Sequence, residues 1–89
     1  MNPERIVTLR HALGWETRRC AAYLGVDHAT WRQWEAGKRA PSKANAAGLL
    51  ALMRLTETEQ GRASLTTWAD DADRRRNSRR AKRRNQPAL

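Results

Sequence analysis

Two adjacent polar residues, Arg32 and Gln33, offer the most specific chemistry in the sequence. A tryptophan lies on either side of them, and if both tryptophans pack into a core, the two polar side chains point outward on a helix. The arginine guanidinium can donate to guanine O6 and N7, and the glutamine amide matches adenine N6 and N7. His28 and Ala29 share this outward face, and the alanine methyl suits a thymine methyl. The pattern predicts a face that reads base edges.

The other reactive residue types do not form a catalytic or metal-binding pattern. Cys20 is the single cysteine, so it excludes an intramolecular disulfide, and with only His11 and His28 it gives no zinc spacing. No nucleophile or carboxylate pair accompanies His11, which we expect to be an ordinary surface side chain. We therefore expect neither an enzyme nor a cofactor, and we interpret Cys20 as a small buried apolar residue.

The charge is distributed unevenly along the chain. The 89 residues carry 18 basic and 9 acidic side chains, for a net charge of +9. Residues 74–89 hold eight of the basic side chains and no acidic one, so residues 1–73 carry 10 minus 9, or +1. Such an excess of positive charge predicts a polyanionic partner. Five further basic side chains flank the reading face and could contact phosphates: Arg18, Arg19, Lys38, Arg39 and Lys43.

The elements that position these residues are all predicted to be helices. Asn2 can cap a first helix that starts at Pro3 and ends before Gly14. A second helix is predicted from about residue 16 to 24, a third from about His28 to Gly37, and a fourth after Ser42. A short fifth helix is predicted over about residues 62–73. No segment has the pattern of a strand, so the predicted fold class is all-α with five helices.

Residues 17–36 meet the steric requirements of two helices that cross steeply over a short turn. Ala21 is small enough for the helix contact, and Gly25 can adopt the positive φ of the turn. The positions predicted to face inward are all apolar: Cys20, Leu24, Val26, Trp31 and Trp34. The segment is therefore predicted to be a helix-turn-helix, and core packing of the two tryptophans is favoured over stacking on unpaired bases.

The stretch from Leu9 to Pro41, with Leu24-Gly25-Val26 and the segment Trp34–Pro41, resembles the phage-repressor Cro and XRE-type helix-turn-helix family. The five residues 31–35 are also similar to the compact regulators associated with anti-CRISPR operons. The resemblance implies a phage-repressor-like domain with base contacts from His28, Ala29, Arg32 and Gln33. It also implies a phosphate contact from Thr17 and a structural ion pair between Arg10 and Glu35.

These features predict a transcriptional regulator, most simply a repressor of the phage or mobile-element type, acting in the bacterial nucleoid or in a phage-infected cell. A single helix in the major groove contacts too few base pairs to distinguish an operator from other DNA sequences, so we expect a homodimer on a palindromic duplex. Residues 1–56 are the predicted DNA-binding domain and residues 57–73 a helical extension. The expected dimer interface is Leu52, Leu55, Leu65 and Trp68. No run is apolar enough for a membrane span.

The basic tail, residues 74–89, lacks apolar anchors and is predicted to be disordered when free. It contains Arg74, Arg75, Arg76, Arg79, Arg80, Lys82, Arg83 and Arg84. An arm that follows DNA phosphates is the favoured interpretation, with an RNA-binding segment and a solubilising terminus as alternatives. An RNA-binding regulator and an antitoxin-like adaptor are accordingly the competing functions.

Overall fold

Five helices and no strand make up the part of the chain that the structure describes. The computed structural model describes the backbone of residues 1–84 and the side chains of residues 1–78. The helices are α1 (Pro3–Leu13), α2 (Thr17–Leu24), α3 (His28–Glu35), α4 (Lys43–Thr56) and α5 (Glu59–Arg84). The all-α, five-helix prediction is confirmed. Residues 85–89 of the predicted basic tail lie outside the described residues.

The helix ends largely follow the capping chemistry expected from the sequence. The Asn2 side chain accepts a hydrogen bond of 2.9 Å from the Arg5 N–H at the start of α1. Ser42 accepts one of 3.2 Å from the Asn45 N–H at the start of α4. Asp27 precedes α3 as predicted, but its side chain makes no capping hydrogen bond. The Asn2 and Ser42 side chains each satisfy a backbone donor that has no partner inside the helix.

The turn between α2 and α3 depends on Gly25. Its φ of 70° lies in the left-handed region, and its N–H donates back to the Ala22 carbonyl. Glycine adopts this conformation without the steric cost that a Cβ imposes. The Val26 N–H then donates to the Ala21 carbonyl at 3.0 Å, which closes the end of α2 before α3 begins. The short turn connects α2 directly to α3, and the two helices pack on each other.

Two tryptophans of α3 form the centre of the core. Trp31 is 0% and Trp34 is 2% exposed, and their ring centroids lie 5.7 Å apart. Helices α1, α2, α4 and α5 all contribute to this core, whose buried members also include Ile6, Leu9, Cys20, Ala21, Leu49, Leu52 and Leu65. Leu24 and Val26 are partly buried against it. The prediction that Trp31 and Trp34 face inward is confirmed.

The junction between α4 and α5 is tight. Thr58 Oγ1 accepts a hydrogen bond of 2.9 Å from the Gly61 N–H and so caps α5. A Cβ at Gly61 would collide with the backbone carbonyl of Leu55, so only glycine allows the two helices to approach this closely. Thr58 and Gly61 therefore start the fifth helix at Glu59, three residues before the predicted start at Arg62.

Two contacts hold α5 against α2. Trp15, Tyr23 and Trp68 form an aromatic clasp, with Trp68 ring centroids 5.3 Å from Trp15 and 4.9 Å from Tyr23. Farther along α5, Asp73 forms an ion pair with Arg19. Trp68 thus contacts residues on both sides of α2, Trp15 just before it and Tyr23 in its last turn, while Asp73 contacts its first turn.

The fifth helix continues through residues 74–84, where the sequence analysis placed the start of the tail. Arginine, lysine and alanine are good helix formers, and neither glycine nor proline interrupts the chain from Arg62 to Arg84. The docked turns of α5 also remove the cost of nucleation, so adding residues to an existing helix is favourable. The apolar pattern ends at Ala72 but the helix does not, which is why periodicity alone ended the fifth helix too early.

Candidate nucleic-acid interface

The outward face of α3 is open to solvent. Ala29, Arg32 and Gln33 are exposed, while the two tryptophans on the same helix are buried. Together with Ala36 and Lys38, these three residues line a shallow depression. The arginine and the amide thus lie next to one another on a helix whose orientation is fixed by its buried side. This is the arrangement required for hydrogen bonds to adjacent base edges in a major groove.

The fourth predicted reading residue, His28, is half-buried and contacts the start of α2. Its Nε2 lies 2.6 Å from Thr17 Oγ1, and the two share a hydrogen bond whose donor depends on the imidazole tautomer. A predicted base contact and a predicted phosphate contact are therefore joined. The bond holds the first residues of α2 and α3 side by side, and both residues line a second depression that also contains Arg32.

Arg10 and Glu35 form an ion pair beneath α3. Arg10 Nε donates to Glu35 Oε1 at 2.7 Å, and the two side chains are 25% and 13% exposed. The pair connects α1 to the last residue of α3. The structure thus brings together the two residues that the family resemblance paired, and the pair fixes the rotation of α3 about its axis.

The basic residues around α3 fall into two groups. Arg18, Lys38, Arg39 and Lys43 are exposed, and none of them forms a salt bridge among residues 1–78. Arg19 differs, because its guanidinium is engaged by Asp73. A phosphate contact from Arg19 would require that ion pair to open, whereas the other four cations are available as they stand.

Cys20 lies on α2 and is buried. Burial raises the pKa of its thiol from 9.0 to about 11, the nearby Arg10 lowers it and Glu35 raises it. The thiol is protonated at neutral pH and behaves as a small apolar side chain, in agreement with the interpretation from the sequence.

The four residues of the predicted dimer interface lie in or against the core of the protomer. Leu52 is 1% and Leu65 is 5% exposed, so both belong to the core of the protomer and offer a partner no surface. Leu55 is half-buried against that core, and Trp68 is half-buried in the aromatic clasp. The helical spacing that suggested an interface is instead the spacing by which α4 and α5 pack on each other and on the rest of the domain.

The first residues of the predicted tail are exposed on α5. Arg74 lies 3.7 Å from Asp71, and Arg74, Arg75 and Arg76 are all accessible to solvent. The side chains of the other predicted tail cations, at positions 79, 80, 82, 83 and 84, lie outside the described residues. Their backbone is helical.

Sequence reasoning missed two features of this interface. Ala36 lines both depressions on α3, and its position four residues after Arg32 could have identified it as part of the same helical face. The pairing of Arg19 with Asp73 had no signal in the sequence, because the residues are 54 positions apart and on elements whose packing the periodicity did not predict.

No group of three or more His, Cys, Asp or Glu side chains within residues 1–78 is arranged to hold a metal ion. The helices described over residues 1–84 include none with both the length and the apolar character needed to cross a membrane.

Comparison with known families identifies the chain. The sequence model of the Aca2/YdiL-like family matches residues 1–75, so the chain belongs to that family. Its members are helix-turn-helix regulators associated with anti-CRISPR operons that bind nucleic acid. Of the two resemblances seen in the sequence, this supports the one to anti-CRISPR-associated regulators, and the Cro/XRE assignment gains no separate support. No curated protein and no solved structure matches.

Proposed function

We propose that this member of the Aca2/YdiL-like family is a sequence-specific DNA-binding transcriptional regulator that represses by occluding a promoter. The observation that carries the proposal is the division of α3 into two sides. Trp31 and Trp34 are buried, while Arg32 and Gln33 are exposed on the opposite side. A helix held this rigidly presents its hydrogen-bonding groups in a fixed geometry, which direct readout of base edges requires.

The surrounding charges support duplex DNA as the partner. Four exposed cations flank α3, and phosphate contacts from such positions fix the register of a helix in the groove without reading sequence. The groove-facing side of α3 carries no acidic side chain: the last residue, Glu35, is turned toward Arg10 and paired with it. The polyanion therefore meets no unpaired carboxylate on this helix.

The proposed regulator acts as a homodimer on an inverted repeat. A single α3 spans only eight residues and can contact few base pairs, whereas two copies about one helical turn apart double the information that is read. Among the described residues, the large apolar side chains exposed to solvent are Met1 and Leu50. Leu50 lies on α4 beside the exposed Ala47 and Ala51. This apolar strip of α4 is the proposed dimer surface, because Leu52 and Leu65 are buried within the protomer.

The test begins with duplexes selected from a random library by the full chain. Arg32→Ala and Gln33→Ala should each weaken binding to the selected duplex by about 1–3 kcal/mol and relax the preference at one base position per half-site. Arg54→Ala is the matched control, because it removes one exposed cation from α4 outside both depressions. It should leave the base preferences unchanged. The proposal is wrong if base-substitution profiles of both α3 variants are identical to that of the parent, or if the parent selects no consensus.

A further inference from the structure

The ion pair between Arg19 and Asp73 joins the helix-turn-helix to a helix outside it. Arg19 lies in the first turn of α2, and Asp73 lies on α5, 54 positions away in the sequence. The two side chains are 23% and 45% exposed, so the pair is only partly shielded from solvent. Among residues 1–78 it is the one salt bridge that engages a cation flanking α3.

Other contacts hold α5 on the domain independently of this pair. Trp68 packs on Trp15 and Tyr23 in the aromatic clasp, and Leu65 and Ala69 on the same helix are buried. The docking of this part of α5 therefore does not depend on one exposed carboxylate. The ion pair can open while the apolar contacts between α5 and the rest of the domain stay in place.

Arg19 lies beside the surface proposed to contact DNA. Two residues before it, the Thr17 hydroxyl shares a hydrogen bond of 2.6 Å with His28, the first residue of α3. Thr17 and His28 also line one depression together with Arg32. The first turn of α2 thus borders the exposed face of α3. That turn contains two adjacent arginines and no acidic residue, and of the two only Arg19 is paired within residues 1–78.

The pair has the character of a contact that phosphate can replace. Within residues 1–78, Asp73 engages a single guanidinium nitrogen, Nη2, through Oδ1, whereas the stronger arginine–carboxylate pairs are bidentate. The paired arginine has no net charge to attract a polyanion. Exchanging a carboxylate for a phosphate also gains less than a contact from a free arginine, because one ion pair is lost for each one formed.

We propose that Asp73 competes with DNA phosphate for Arg19 and so lowers the affinity of the protein for DNA. In the free protein Arg19 is paired with Asp73, and in the complex its guanidinium moves to a phosphate. Asp73 has no effect on base preference, because a phosphate contact carries no sequence information. This inference rests on the proposed function, since it takes duplex DNA as the ligand.

The variants separate the carboxylate from its effect on Arg19. Asp73→Asn removes the charge with little change in shape, and Asp73→Ala is a second way to remove it. Asp70→Asn is the matched control, because it removes an exposed carboxylate from the same part of α5 that forms no salt bridge within residues 1–78. Asp73→Glu restores a carboxylate. Arg19→Ala, alone and combined with Asp73→Asn, completes a double-mutant cycle.

The measurement is the affinity of each full-length variant for the duplex selected by the parent, over a range of salt concentrations. Circular dichroism and thermal melts establish that each variant retains the folded domain. Asp73→Asn and Asp73→Ala should bind about three- to tenfold more tightly than the parent at low salt. The slope of log K against log[salt] should increase in magnitude by about 0.9 per subunit, so that the advantage falls about twofold for each doubling of salt.

The controls should behave differently from Asp73→Asn. Asp70→Asn should leave the salt slope unchanged, because it frees no arginine, and Asp73→Glu should bind as the parent does. When Arg19 is alanine, Asp73→Asn should give no gain in affinity. The order of preference among base-substituted duplexes should be the same for all variants.

Three outcomes would overturn the inference. Equal affinities and salt slopes for Asp73→Asn and the parent would mean that Arg19 does not contact phosphate. Weaker binding by Asp73→Asn would mean that the carboxylate orients Arg19 for its contact instead of competing for it. An equal gain in the Arg19→Ala background would assign the effect to net charge or to loosening of α5. The proposed function fails separately, when the parent itself selects no duplex sequence.

Discussion

The ion pair between Arg10 and Glu35 allows a quantitative prediction about the stability of the domain. At the observed 2.7 Å, and with an effective dielectric constant of about 20, the Coulomb attraction is about 6 kcal/mol. Removing two ions from water costs several kcal/mol each, so the net contribution of the intact pair is small. The cost of halving it is not small, because the remaining ion is 75–87% buried without a partner.

We therefore expect Arg10→Met and Glu35→Met each to lower the free energy of unfolding by about 2–3 kcal/mol, and the double variant by only about 1–2 kcal/mol. The coupling energy is then about 3 kcal/mol, far above the roughly 0.5 kcal/mol scatter of independent sites. For a domain of this size the single variants should melt roughly 10–20 °C below the parent. Urea denaturation of the four proteins measures the cycle.

The exposed pair Asp71 and Arg74 provides the control for that cycle. Its atoms lie 3.7 Å apart and its side chains are 50% and 79% exposed. Solvent screening and side-chain entropy should reduce its coupling to about 0.5 kcal/mol or less. Simple additivity of the Arg10 and Glu35 variants, equal to that of the exposed pair, would refute the argument that burial makes the half-broken pair costly.

Three other predictions concern α5, the thiol and the dimer. Gly61→Ala should lower the free energy of unfolding by about 1–3 kcal/mol in urea denaturation, because the alanine Cβ would collide with the Leu55 carbonyl. The control Ser64→Ala, at an exposed position of α5, should not lower it. Equal stabilities of the two variants would contradict the close approach of α4 and α5. Because the folded pKa of Cys20 is about 11 and the unfolded value 9.0, its contribution is present below pH 9 and is lost as the pH rises toward 11, by up to about 3 kcal/mol. Denaturation at a series of pH values should show this extra slope in the parent and not in Cys20→Ala, and parallel curves would disprove it. Leu50→Glu should give a monomer by light scattering while the charge-matched Thr66→Glu on α5 remains a dimer; a dimer in both would place the interface elsewhere.

The sequence predicted the helix-turn-helix well because its determinants are local. A turn glycine, a small residue at the helix contact and inward tryptophans act within twenty residues, and each has one steric solution. The exposed face of α3 followed directly from the positions of the buried residues. The structure agrees with the prediction for Gly25, Ala21 and the two buried tryptophans, whereas Leu24 and Val26 are only partly buried and His28 is half-buried.

The packing of α5 could not be predicted in the same way. Helical spacing showed that Leu52 and Leu65 lie on apolar faces, but spacing does not specify whether such a face meets another helix of the same chain or a second protomer. In this chain, Gly61 allows α5 to pack closely on α4, and Trp68 packs on Trp15 and Tyr23. These contacts join positions far apart in sequence, where no local pattern distinguishes them.

The four tryptophans form two separate pairs, one in the core and one in the aromatic clasp, so intrinsic fluorescence can report on each part of the protein. Trp31 and Trp34 are buried under α3, and their emission should change only when the domain unfolds. Trp15 and Trp68 are half-buried in the clasp, so their emission should shift as soon as α5 separates from α2. Phenylalanine at one pair or the other would allow undocking of α5 and global unfolding to be followed as two signals without any added dye.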